Sequence, residues 1–251
     1  MLSTQALIIL IAVFLVTSIV GVVTGSNSLI AVPVMFQSGI EARTAVATNM
    51  FALVFMAVGG TIPFVRKRRI DYRKVSPLIV LTIVSSAIGA LLVGMISGNG
   101  IRLIVSVAMI AVAFFILLRR DTGVSGDPEP GRFGPSLTYI LVFLLGIYGG
   151  LFSGGYVTVL TAVCIGTYGM GYGEAVASTK LINVFSSGVA TIVFIWQGLV
   201  DYKLGLILGV AMFTGAFVGA HYATKLNDIW LRRIFLATVF LLALKTIYDF
   251  L

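Results

Sequence analysis

Apolar residues in this chain come in long runs parted by short polar turns. A helix rises 1.5 Å per residue, so about 20 apolar residues cross a bilayer core about 30 Å thick. The runs at 44–65, 75–96, 101–118, 174–196, 204–223 and 229–248 each fit one such helix. Two stretches do not. Residues 5–37 and 136–167 are too long for one span and slightly short for two. Each is interrupted by small and polar residues. The first reads GVVTGSNSLIAVP over residues 21–33, and the second reads GIYGGLFSGGYVTVL over residues 146–160. A helical hairpin fits each, with tips at Gly25-Ser26-Asn27-Ser28 and Ser153-Gly154-Gly155. Pro33 removes an N–H donor from the second arm of the first hairpin. A helix that stops in lipid strands backbone N–H and C=O groups. Such breaks persist only where protein or a hydrated cavity surrounds them, so they mark the expected binding site.

The pattern repeats. Ala47-Thr48-Asn49 aligns with Ser178-Thr179-Lys180, Ile70-Asp71-Tyr72 with Val200-Asp201-Tyr202, and Gly89-Ala90 with Gly219-Ala220. The expected architecture is an all-α integral membrane protein of two repeats, each a broken hairpin plus three transmembrane helices. The first repeat covers residues 1–118 and the second 136–251. Residues 119–135, rich in Gly, Pro and Asp, form the linker.

Charge then orients the repeats. If both arms of each hairpin cross, each half makes an odd number of crossings and the repeats are inverted. The basic clusters at 66–74, 119–132 and 225–233 then all lie on the cytoplasmic side, and both termini lie outside. Parallel repeats would move Lys225, Arg232 and Arg233 outside, against the positive-inside rule. Inverted repeats bring the two hairpins in from opposite faces, with their tips meeting near the midplane.

Composition agrees. The chain of 251 residues is 59% hydrophobic and 10% charged, against about 25% charged in soluble domains, and its mean hydropathy is +1.10. No small-residue cleavage site follows the first run, so residues 1–24 read as part of the mature protein. The net charge of +8 lies in loops between spans and points to orientation rather than to nucleic acid. The single Cys164 makes no intrachain disulfide, and with one histidine, His221, there is no metal-ligand cluster. No nucleophile–base set or phosphate-binding loop is present. The expectation is no enzyme, no cofactor and no metal. Few loops and no disulfides fit the inner membrane of a prokaryote.

Taken in order, GVVTGSNSLIAVP, ATN and RRIDY in the first half, with GIYGGLFSGGYVTVL, STK and LVDY in the second, resemble the TauE/SafE family of sulfite and sulfonate exporters. The resemblance covers nearly the whole chain. It implies a secondary transporter that moves a small sulfur-containing anion, sulfite or an organosulfonate, outward. Residues Ser26-Asn27-Ser28 depart from the glycine-richer family pattern.

The residues suit that chemistry. A helix N-terminus carries about half a positive charge. The second arms start near Asn27 and Tyr156, so two such ends aimed at one cavity would hold an anion. Gly25, Gly154 and Gly155 would let a ligand approach the backbone, while Ser26, Asn27, Ser28 and Ser153 add donors. Close helix packing is the alternative role for these small residues. Lys180 is the one basic residue well inside an expected span. It would serve as counter-charge to the anion, unless it snorkels to the interface or pairs with Glu174. Thr48, Asn49, Thr179 and Asn183 would complete the cavity or bond neighbouring helices. His221 suits a solvated residue better than a proton relay. Asp71 and Asp201 suit fold-defining hydrogen bonds better than catalysis. The expected partners are the small anion and membrane lipid. Proton or sodium coupling, import of the same anions such as thiosulfate, a scaffold for a sulfur-metabolism partner, and a homo-oligomer are left open.

Overall fold

The computed structural model describes residues 2–25, 27–66, 70–118, 135–223 and 225. The linker at 119–134, the span expected at 229–248, Ser26 and the middle of the first basic loop lie outside the described residues. The described residues form nine α-helices. They are α1 (Thr4–Thr24), α2 (Ser28–Gln37), α3 (Ala42–Arg66), α4 (Tyr72–Met95), α5 (Gly98–Leu118), α6 (Pro135–Leu151), α7 (Tyr156–Tyr168), α8 (Tyr172–Trp196) and α9 (Tyr202–Ala223). Helices α1, α3, α4, α8 and α9 are long and apolar enough to cross a membrane, while α2, α6 and α7 are apolar but shorter.

Local chemistry sets the ends. Ser3 caps α1 by accepting from the Ala6 N–H at 3.2 Å. Asp71 caps α4, accepting from the Arg73 N–H at 3.0 Å. Asp201 does the same for α9, accepting from the Leu204 N–H at 3.0 Å. The two aspartates hold matching places in the two halves, and both satisfy donors that a helix start leaves open.

Both expected breaks are present. Helix α1 ends where Gly25 turns left-handed at φ 72°, its N–H bonded to Gly21 O at 2.7 Å. Helix α6 ends before Ser153, and α7 starts after Gly155, left-handed at φ 75°. The second arms, α2 with 10 residues and α7 with 13, are shorter than the about 20 residues of a full span. Each arm runs antiparallel to its neighbours. Thr138 near the start of α6 bonds Thr167 near the end of α7 at 2.8 Å. Thr161 and Thr179 bond α7 to α8 at 3.0 Å, as Asn49 and Ser28 bond α3 to α2 at 2.9 Å.

The halves interlock. Helices α3 and α8 pack on each other at the centre. Helix α3 also packs on α9 and α8 on α4; α1 lies against α9 and α6 against α4. Each of these pairings has its counterpart when the halves are exchanged. The outer crossings even use the same device. A Cβ on Gly89 of α4 would sit 2.0 Å from Ile147 O of α6, and one on Gly219 of α9 would sit 2.2 Å from Ile19 O of α1. In lipid, where apolar burial drives little, such close backbone approach is what holds helices together.

A junction of two broken helices around a buried lysine

The breaks touch. Gly25, at the end of α1, lies against the first turn of α7: a Cβ there would come 2.6 Å from Val157 Cβ and 2.9 Å from Thr158 N. Across the junction, a Cβ on Gly154 would come 2.9 Å from Leu29 of α2. Helices α2 and α7 therefore begin beside each other. Neither N-terminus is capped by a side chain, since Asn27 and Gly155 at the cap positions make no such bond. Two partial positive charges meet there.

Lys180 reaches the same place from α8. It is 3% exposed, and its Nζ donates to Gly21 O at 3.4 Å. That carbonyl belongs to the last turn of α1, the negative end of its dipole. Glu174 pairs instead with Lys74 at 3.4 Å. Among the described residues no acidic side chain forms an ion pair with Lys180. A buried cation with one long carbonyl contact is an expensive arrangement in hydrocarbon, so it calls for an anion or water.

A small cavity lies at this meeting point. Its polar lining is Asn27, Ser28, Ser153, Lys180 and Asn183, with the backbone of Gly25. Its apolar lining is Val22 of α1, Leu53, Met56 and Ala57 of α3, and Val157 of α7. About 10 Å³ is open to the centre of a water-sized molecule, the room of about one water. The amide of Asn27 is fixed by Nδ2 donating to Thr17 at 2.9 Å and Ser18 at 3.1 Å, which leaves its Oδ1 buried without a partner. Asn49 Oδ1 is likewise buried without a partner.

Of the residues singled out in the sequence, Gly25, Asn27, Ser28, Ser153, Lys180 and Asn183 come together around the cavity. Asn49 stands behind it, donating to Ser28. Thr48 accepts from the Asp201 N–H at 3.0 Å and ties α3 to the start of α9. Thr179 bonds Thr161 and the Val176 carbonyl. Gly154 packs on Phe152 and Leu29, and Gly155 packs on Val112 of α5. Tyr156 is fully buried, with its ring against Gly149 and its hydroxyl near Thr82 and Ser186. Ser26 lies outside the described residues. His221 is exposed at the end of α9, edge-on to Tyr222. The apolar wall of Leu53, Met56 and Ala57 has no counterpart in the sequence reading. On α3 those residues look like any others facing lipid, and nothing local marks them.

Comparison with known proteins places this arrangement. The family described as sulfite exporter TauE/SafE matches residues 9–246. A probable membrane transporter protein of Sinorhizobium sp is 27% identical over 90% of this chain and 87% of its own length. One from Haemophilus influenzae is 25% identical over 97% of this chain and 95% of its own. The probable membrane transporter protein YfcA of Escherichia coli is 24% identical over 99% of this chain and 92% of its own. No solved structure matches the chain. With a family match that runs from within α1 to beyond α9 and relatives aligned nearly end to end, this chain belongs to the TauE/SafE sulfite exporter family and is a multi-pass membrane protein.

Proposed function

We propose that the protein is a secondary transporter carrying a small sulfur-containing anion, sulfite or an organosulfonate, outward across the inner membrane. The anion is held where the two breaks meet, between the starts of α2 and α7 and the ammonium of Lys180. The observation that carries this reading is Lys180: 3% exposed, at the junction of both breaks, and without an acidic partner among the described residues. Gly25, Asn27, Ser28, Ser153 and Asn183 complete the site, with Asn49 positioning Ser28. An interior-negative membrane potential is worth ~2.3 kcal/mol per charge per 100 mV and favours anion exit without a coupled ion.

The exchange of helix pairings between the halves, and the matched Gly89 and Gly219 crossings, support a two-repeat transporter whose halves rock about the junction. Inverted repeats give this cycle its symmetry, one hairpin entering from each face. A four-atom anion such as sulfite needs several times the space open in the cavity, so loading requires the two tips to part.

The test is the melting temperature of the purified protein against sulfite, thiosulfate, sulfoacetate, sulfate, acetate and chloride. A ligand at 100 times its Kd adds ~2.7 kcal/mol to the folded state. The expected outcome is a shift confined to sulfur oxyanions and lost in Lys180→Ala. A shift that survives in the variant removes Lys180 from the site. No selective shift in folded protein removes the anion site itself. Flux assays in oriented vesicles fix the direction.

A further inference from the structure

The polar face of α8 does not stop at the cavity. A helix turns about 100° per residue, so Ser187 and Thr191 stand within about 20° of Lys180 around α8. Both are buried. Ser187 bonds back to the Asn183 carbonyl at 2.6 Å. The Thr191 hydroxyl is buried and has no hydrogen-bond partner among the described residues. Ser186 lies about 120° from Lys180, and its hydroxyl meets Ser86 of α4 at 2.7 Å.

Helix α3 covers the Lys180 row. It runs antiparallel to α8. Leu53 and Met56 line the cavity with Lys180 and Asn183, while Thr48 accepts from the N–H of Asp201, just past the end of α8. Between those two points α3 carries Asn49, whose Oδ1 is buried without a partner. The α3–α8 seam thus carries Asn49, Ser187 and Thr191 from the cavity toward the Asp201 end, about 16 Å of helix from Lys180 to Thr191. Toward the other end of α8 the same face carries Gly173, Val176 and Ala177, with no polar side chain. Hydroxyls that tie membrane helices together make bonds, as Thr161 and Thr179 do. Thr191 makes none. A polar group buried without a partner is costly and calls for water or a ligand.

Resting on the anion-site reading above, we propose that the α3–α8 seam is the route by which the anion leaves the cavity toward the Asp201 end, with Ser187, Thr191 and Asn49 as its polar lining. When the tips part, water enters the seam and satisfies Thr191 and Asn49. The anion then passes from the ammonium of Lys180 to Ser187 and on to Thr191. None of the three lining residues is charged, so the route hands the anion on without holding it. Helix α8 starts beside Lys74 of the first basic loop, the cytoplasmic end by the positive-inside rule. The Asp201 end is then the outer one.

The experiment uses the full chain in right-side-out membrane vesicles and 2-sulfonatoethyl methanethiosulfonate, a small anion that does not cross lipid, added outside. The reagent couples to a thiolate that water reaches, and labelling is read as a mass increment. In the unsubstituted protein the single Cys164 is buried and sets the baseline. Thr191→Cys is expected to label at least about tenfold faster than baseline, because the thiolate and not the buried thiol reacts. Ser187→Cys should also label, more slowly, as it lies deeper. Ser186→Cys, on the α4 side, and Ile192→Cys, 67% exposed on the outer surface of the bundle, should stay near baseline. Failure of a folded Ser187→Cys or Thr191→Cys protein to label above baseline overturns the route. Labelling of Ser186→Cys or Ile192→Cys at the same rate also overturns it, since access is then not confined to the seam. Either result leaves the anion site standing, because that site is judged by the melting response of the unsubstituted protein. The two positions on the row are read independently, so poor folding of one variant leaves the other to decide.

Discussion

The two hairpins occupy matching places in the two halves and are built from different chemistry. The first is tied by side chains: Asn27 donates to Thr17 and Ser18, and Asn49 donates to Ser28. The second is tied by backbone and aromatic groups: Tyr148 donates to the Gly154 carbonyl, and the Tyr156 ring lies against Gly149. The first break brings two polar side chains to the cavity, Asn27 and Ser28. The second brings one, Ser153, together with the apolar Val157. The lysine there comes from the second half, on α8, yet it reaches into the first half to Gly21 of α1. At the equivalent position α3 carries Asn49. The two breaks bring unlike groups to one cavity. The second half brings the charge of Lys180 together with Ser153 and Asn183, and the first half brings Asn27 and Ser28.

That contrast can be broken at the tips. Gly25 is left-handed and faces the Cβ of Val157 and the backbone of Thr158, which have little freedom to give way. Gly25→Ala is expected to destabilise by about 2–5 kcal/mol, from the left-handed backbone plus overpacking. Gly155→Ala meets only the side chain of Val112, and a smaller loss of about 1–3 kcal/mol is expected. Chemical unfolding in detergent ranks the pair. Equal losses would mean that the breaks do not touch as described.

The ties come next. Asn27→Ala removes two bonds at an average of ~0.6 kcal/mol each between membrane helices, about 1 kcal/mol in all. Because Asn27 lines the cavity, the change also weakens the anion-induced rise in melting temperature. Tyr148→Phe removes one bond and is expected to cost about half as much, with the anion response intact. A lost anion response in Tyr148→Phe would instead place the second tie in the site.

The smallest effect is expected at the edge. Lys74 and Glu174 pair at 3.4 Å with side chains 44% and 27% exposed, a setting worth about 0–1 kcal/mol. Lys74→Ala should leave both stability and anion response nearly unchanged. A marked loss of anion response would show that Glu174, once released, competes for Lys180.

Some of this was legible without coordinates because it is local. A break is a run of Gly, Ser and Asn inside an apolar stretch too long for one span and short for two, and the two features together mark where the helix stops. Asp71 and Asp201 cap helix starts by the same local logic, at matching places in the two halves. Lys180 stands out because charge is rare in apolar runs. Partner choice was not legible. Thr48 and Thr179 sit at equivalent positions, yet one accepts from the Asp201 backbone and the other bonds Thr161. Glu174 lies six residues before Lys180 but pairs with Lys74 of α4.

The sequence by itself determined the membrane class, the two breaks and the family. Each of these is written in runs, interruptions and spacings along one dimension. Only the tertiary structure decided that Lys180 crosses to Gly21, and that Leu53, Met56 and Ala57 line the cavity. The reason lies in the solvent. A helix in water shows its buried face as an apolar stripe of period 3.6. In lipid, buried and exposed faces are both apolar. Val58 of α3 is 39% exposed while Met56 is 5% exposed, and nothing in their chemistry separates them. Which face turns inward is then fixed by close packing against other helices, and that is settled only when the chain is folded.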